Sequence, residues 1–336
     1  MKLDRSLHQL GCLSLLPFAC MSQVAHSLDL NYEGLSKFEE PIATHIADTT
    51  FTLSSISDIR FDLSNERDNI ESVSSVFQLG AETQLDNSWT LGAAYLGVLD
   101  SEDMEGDHYT DNVAIYLSSS WGSVSLGNVT GEVRENTRRK RGVGNANLNL
   151  DNSFGSLSDY GVSYTVRLGP SQIFTLADQD GNIEVGAGYQ RPLGNKDYRF
   201  SIRFRNTESI QIAEQSFDIE SESGILTAEM TYGDLVIDAS IGLESLSFDQ
   251  LTANRKFIAL GATRKIGTWS GSVEAYFGEL EDGSSNAYSI GLSKDLARGF
   301  SLNLGINHQD QSFDIVAFDP INLNDTTATI SLRYSL

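Results

Sequence analysis

Cysteine is absent from this 336-residue chain after position 20. The two it has, Cys12 and Cys20, lie in a stretch built like a secretory leader. Lys2 and Arg5 come first, then the short apolar LGCLSLLPFAC, then the small residues of MSQVAHS. Cleavage is expected after Ser27, with Ala25 at the minus-three position, so residues 1–27 leave and take both thiols with them. The remainder forms no disulfide, although it enters a compartment that permits them. Its cohesion has to come from elsewhere.

Long apolar runs are missing too. Nothing after residue 27 approaches the roughly 18 consecutive apolar residues of a membrane helix. Helical spans are thereby excluded, whereas transmembrane strands, which alternate, escape such a count. Positive charge is scarce: 23 Lys and Arg stand against 46 Asp and Glu, for a net charge of -23. Loss of Lys2, Arg5 and Asp4 with the leader makes the rest one unit more negative. Nucleic acid is not expected as a partner of so acidic a chain. After the leader, histidine is reduced to His45, His108 and His308, too scattered for a metal site. No strand–turn–helix nucleophile elbow occurs, and DQDGNIE at 178–184 lacks the spacing of an EF-hand. The expectation is a protein without enzymatic activity, cofactor or metal.

What the chain has in abundance is period two. In YRFSIRFR, Tyr198, Phe200, Ile202 and Phe204 share one face, and Arg199, Ser201, Arg203 and Arg205 share the other. The same alternation predicts strands at 51–64, 72–85, 88–99, 112–120, 123–129, 160–168, 171–178, 182–191, 197–206, 224–232, 235–248, 256–265, 269–280, 286–296, 300–310 and 327–336. Every second connection is tight, as at 86–87, 121–122, 169–171, 192–196, 233–234, 266–268 and 296–299. The intervening ones run long, at 100–111, 206–223, 310–326 and above all 130–159. Short turns at one rim and long loops at the other are the plan of a closed antiparallel transmembrane β-barrel of sixteen strands. Closure pairs every backbone group around the ring and accounts for cohesion without cross-links. Two stretches fit less cleanly. Residues 28–50 form an N-terminal extension that plugs, caps or lengthens the barrel or holds its true first strand, and 210–219 could be a further strand.

The segment IYLSSSWGSVSLGNVTGE, residues 115–132, resembles the pattern of Gram-negative general porins, the trimeric sixteen-stranded kind. In those, a strand, an aromatic–glycine turn and a short strand ending in Leu-Gly lead into a loop folded into the channel. Trp121 stands where the family has Phe. The final strand, TATISLRYSL, is similar to the signal read by the barrel-assembly machinery, with Leu336 in place of the usual Phe. The resemblance implies an outer-membrane diffusion channel for small hydrophilic solutes. It also implies a homotrimer in contact with outer-membrane lipid and surface glycolipid, the domain being residues 28–336. Residues 130–159 would be an inward-folded constriction loop, placing Glu132, Arg134, Glu135, Arg138, Arg139, Lys140, Arg141 and Asp151 at the narrowest section.

On the polar faces of the strands, Arg167, Arg199, Arg203, Arg205 and Arg333 are candidates for the pore wall, together with Glu82, Glu184, Glu229 and Glu274. Family channels oppose an arginine-bearing wall to an acidic loop. Here the loop is basic, so a weak anion preference is expected. The other reading of the basic run is a solvated external loop. The alternative function is a structural or adhesion-type surface barrel with a plugged lumen. The acidic stretches at 100–106 and 279–283 belong to the long-loop rim, where divalent cations could join them to glycolipid phosphates.

Overall fold

The computed structural model describes residues 42–336, apart from 67–68, 86–87, 103–106, 141, 147, 155–156, 159, 209, 213–214, 218–219, 249–250, 281–282 and 314–320. The expected leader and residues 28–41 lie outside the described residues.

On the strand Lys196–Thr207 (β10), Phe200, Ile202 and Phe204 are exposed, while Ser201, Arg203 and Arg205 are buried. The pattern recurs on strand after strand: Ile237, Ile241 and Leu243 face out, and Asp238, Ser240 and Glu244 face in. A water-soluble protein buries its apolar face. This one turns it outward, as a chain solvated by hydrocarbon must.

The wall comprises β2 (Thr49–Ser64), β3 (Ile70–Gln84), β4 (Thr90–Glu102), β5 (Asp107–Ser119), β6 (Gly122–Gly127), β7 (Gly161–Leu168), β8 (Ser171–Asp178), β9 (Ile183–Leu193) and β10. It continues with β13 (Glu220–Tyr232), β14 (Leu235–Phe248), β15 (Leu251–Ile266), β16 (Trp269–Leu280), β17 (Gly283–Ala297), β18 (Phe300–Phe313) and β19 (Ile321–Ser335). These sixteen strands pair antiparallel with their neighbours in chain order, except that β10 pairs β13 directly. The ring closes where Thr327–Ser335 of β19 pair with Ser64–Ile56 of β2.

Among the described residues, three short strands lie outside that ring. Ile42–Ile46 (β1) pairs with Leu53–Thr49 at the start of β2. It takes up the edge of β2 where β19 runs out: Leu336 N–H donates to Ser55 O at 2.8 Å, and the Ile42–Leu53 pair follows two residues along. The described part of 28–50 therefore lengthens the wall. Ile210–Ile212 (β11) and Gln215–Phe217 (β12) pair only with each other among the described residues, so neither adds a strand to the wall.

All sixteen expected strands are present, several longer at the long-loop rim. β4 and β5 stay paired as far as Ser101–Asp107, and β18 and β19 as far as Phe313–Ile321. Acidic side chains do not stop a hairpin whose backbone groups still find partners. At the short-turn rim, Gly169, Gly194, Gly233, Gly267 and Gly299 all have positive φ, between 56° and 76°, the conformation that tight hairpins ask of glycine. Aromatic rings gather at the same rim: Trp121 lies 5.8 Å from Trp89 and 6.1 Å from Tyr164. Such a girdle marks a membrane–water boundary.

Candidate functional site

After β6 the chain leaves the wall. Gly127, at φ 115°, makes the turn, and a Cβ there would collide with the backbone of Val113 and Ala114. The described residues of 128–160 then make contacts with polar side chains on the inward parity of the wall. A short helix, Glu132–Thr137 (α1), comes first. Val133 of the helix packs with Val129, Leu157, Phe174 and Leu176 in a small apolar cluster. The helix also comes close to Gly186 of the wall, where a Cβ would lie 2.7 Å from Thr137 and 2.8 Å from Val133. Glu132 accepts hydrogen bonds from Ser163 and, at 2.7 Å, from Thr165.

The basic run follows. Arg138 pairs with Glu135 at 2.6 Å. Arg139 is enclosed by three carboxylates: Asp151 at 2.7 Å, Asp238 at 3.1 Å and Glu274 at 2.8 Å. Burial alone would lower its pKa, but those three charges outweigh it and raise it, so the guanidinium is permanently charged. Lys140 reaches Glu229 at 3.2 Å, and the same carboxylate receives Arg199 at 2.9 Å. Arg134 lies 3.7 Å from Glu135. Arg141 lies outside the described residues.

The loop tip is fastened by its backbone. Gly142 N–H donates to Glu274, Val143 N–H to Ser272 Oγ at 2.9 Å, and Asn307 Nδ2 to Asn145 O at 3.2 Å. The return leg is held by Arg255, which reaches from the wall to the carbonyls of Leu150 and, at 2.7 Å, Asn152. Glu244 pairs with this guanidinium at 2.9 Å, and Phe154 and Phe257 flank it at 4.5 and 4.7 Å. Finally Ser158 N–H donates to Asp178 Oδ2 at 2.7 Å. Asp178 also accepts from the backbone of Asp180 and Asn182, so the DQDGN carboxylate closes a tight hairpin.

These anchors lie on β7–β10, β13–β16 and β18, and Asn145 Nδ2 also donates to Ser331 Oγ on β19 at 2.9 Å. The wall from β2 to β4, with β19, presents Asp58, Arg60, Asp62 and Arg333 to the lumen. Arg60 pairs with Asp62 at 2.7 Å and Arg333 with Asp58 at 2.9 Å. In each pair the cation is the more exposed partner: the side chains of Arg60 and Asp62 are 32% and 6% exposed, those of Arg333 and Asp58 42% and 12%. Lys140 and Glu229 repeat this at 44% and 6%. In all three pairs the carboxylate is nearly buried and the cation keeps about a third or more of its side chain exposed.

The remaining wall candidates divide. Glu184 is fully buried between Arg203, at 3.5 Å, and Arg205, at 3.0 Å. Glu82 and Arg167 are exposed near the short-turn rim, where Tyr116 donates to Glu82 at 2.8 Å; the fold does not bring them to the loop. Arg255, Glu244, Asp238, Asp58, Arg60 and Asp62 were missed by sequence reasoning. Each occupies the polar parity of its strand, which was the available signal, but parity does not say which strands the loop crosses. Among the described residues no group of His, Cys, Asp and Glu is arranged to hold a metal ion.

Comparisons with known proteins agree with this architecture. A family model described as Gram-negative porin matches residues 43–314. No curated protein matches the chain. Among solved structures, OmpT of Vibrio cholerae in its trimer form is 13% identical, with a TM-score of 0.68, covering 86% of this chain and 99% of that one. An anion-selective porin from Comamonas acidovorans is 14% identical, with a TM-score of 0.66, covering 86% and 100%. A mutant of the Rh. blastica porin is 14% identical, with a TM-score of 0.60, covering 85% and 100%. With the barrel, its outward apolar face and the family match over most of its length, the chain belongs to the Gram-negative porins of the outer membrane.

Proposed function

We propose that this porin is a passive diffusion channel for small hydrophilic solutes with a weak preference for anions. Residues 128–160 narrow the passage against the β2–β4 wall. One observation carries the preference: the side chains of Lys140, Arg60 and Arg333 are far more exposed than those of their partners Glu229, Asp62 and Asp58. Each pair is close to neutral from afar, but an ion passing within a screening length of about 8 Å meets the cation first. The overall charge of -23 acts mainly at the mouths, where salt screens it. The solved relative described as an anion-selective porin shares the fold and adds weight by analogy.

The same reading includes a homotrimer. On the outer face of β2–β5, Ser57 bonds Ser75 at 2.9 Å, and Tyr95 donates to Asp111 at 3.3 Å. Small polar residues and a carboxylate are costly against hydrocarbon and suit a face covered by neighbouring copies. Elsewhere the wall meets lipid, with glycolipid at the long-loop rim, and the C-terminal strand is offered to the barrel-assembly machinery.

Planar-bilayer recording tests the channel: stable ohmic steps are expected, and reversal potentials in a salt gradient should report anion preference. A sealed lumen, as in a structural or adhesion barrel, would give no steps. Chemical cross-linking of the protein in its membrane should yield a three-copy species, and failure to do so would contradict the trimer.

A further inference from the structure

The lumen wall has an apolar break in its polar lining. Ile56 on β2 lies opposite Val76 on β3, which lies opposite Val98 on β4, so three adjacent strands meet on one rung. Leu96, one rung nearer the short-turn rim, faces Gln78. The alternation puts all four on the lumen side, with Asp58 and Arg60, and away from the outward Ile59, Leu79 and Leu99. Val76 and Val98 form a buried floor, and Ile56 and Leu96, partly buried, pack against it. The barrel does not need apolar groups there, since the inner face meets no hydrocarbon. Ser54 and Ser74 hold equivalent positions on neighbouring rungs, and in a watery passage apolar surface is a liability unless something apolar covers it.

Beside this rung stand two guanidiniums. Arg333 lies opposite Asp58, next to Ile56 on the same face, and Arg60 follows one rung further. Positions two apart along a strand are separated by roughly 7 Å, a step that a small ring carrying a carboxylate can bridge. Because Arg60 and Arg333 are much more exposed than Asp62 and Asp58, the charge offered next to the apolar rung is positive.

We infer that Ile56, Val76, Leu96 and Val98 form a subsite for the apolar part of an amphipathic anion, an aromatic or branched monocarboxylate, whose carboxylate is received by Arg333 and Arg60. This rests on the diffusion-channel reading above and names a solute class for it.

The test uses the full-length protein in bilayers carrying chloride current, with three probes. Benzoate combines the apolar and anionic parts, acetate keeps only the charge, and benzylammonium keeps the ring with the opposite charge. Benzoate should reduce the chloride current saturably, whereas acetate and benzylammonium should do so far less. In the I56S/L96S double variant the chloride conductance should persist while benzoate block weakens about tenfold, as expected for loss of buried apolar contact. Equal block by acetate, or block unchanged in the variant, overturns the apolar subsite, and equal block by benzylammonium overturns its anionic character. Equilibrium dialysis of labelled benzoate against detergent-refolded protein separates this inference from the channel itself. Binding without conductance would keep the subsite and remove the channel; conductance without binding would do the reverse.

Discussion

Gly291 lies directly opposite Gly305 in the β17–β18 ladder, and the loop backbone from Val143 to Asn145 rests in the notch they leave. At Gly291 the Val143 carbonyl oxygen occupies the place a Cβ would need. At Gly305 the Gly144 oxygen would lie 2.7 Å from one. Backbone cannot yield as a flexible side chain does, so Gly291→Ala should lift the loop tip at a cost of about 1–3 kcal/mol. Faster protease cleavage within 141–147 and noisier single-channel current should follow, with the barrel still heat-modifiable on gels. Wild-type cleavage and noise would mean that the tip does not rest there.

Arg139 secures the loop by a different force. Arg139→Met would strand Asp151, Asp238 and Glu274, all buried, without their shared cation. Breaking a buried ion pair from one side typically costs about 3–5 kcal/mol. A large fall in the thermal transition and a changed conductance are expected. Arg139→Lys should recover only part of the stability, because a single ammonium cannot address three carboxylates with a planar fork. A Met variant as stable as wild type would show that the cluster contributes no net anchoring.

The outward apolar face makes a prediction about lipid. Ile241, exposed midway along β14, should tolerate alanine but not arginine, which costs about 2–4 kcal/mol at the bilayer midplane. Guanidinium titration of protein folded into vesicles measures the difference. An arginine that costs nothing would place this face outside the hydrocarbon.

Strands were legible because period two is a local signal: on β10 and β14 the parity of single residues already separates inside from outside. Loop lengths were overestimated around 100–111 and 310–326, because pairing continued through acidic residues that read as loop. The run at Arg138–Lys140 was legible as a cluster of charge, but its partners were not. Asp238 and Glu274 lie 99 and 135 residues from Arg139 in the chain, and only closure of the ring brings them together. The Gly291–Gly305 notch was invisible for the same reason, since in sequence each is one more glycine in a strand.

β1 bears on the plugged-barrel alternative. The ring closes between β2 and β19 without it, so deleting residues 28–46 should leave a closed barrel with unchanged conductance and a modest loss of thermal stability. A clear rise in conductance on deletion would show that this part of the chain obstructs the lumen.

Selectivity depends on which charges face the passage. Reversal potentials in a potassium chloride gradient, compared between wild type and the K140Q/R60Q/R333Q variant, test it most directly. The greater exposure of the three cations predicts a chloride-preferring wild type and a clear shift toward potassium in the variant, where Glu229, Asp62 and Asp58 lose these partners. A cation-preferring wild type, or a variant with the wild-type reversal potential, would contradict it.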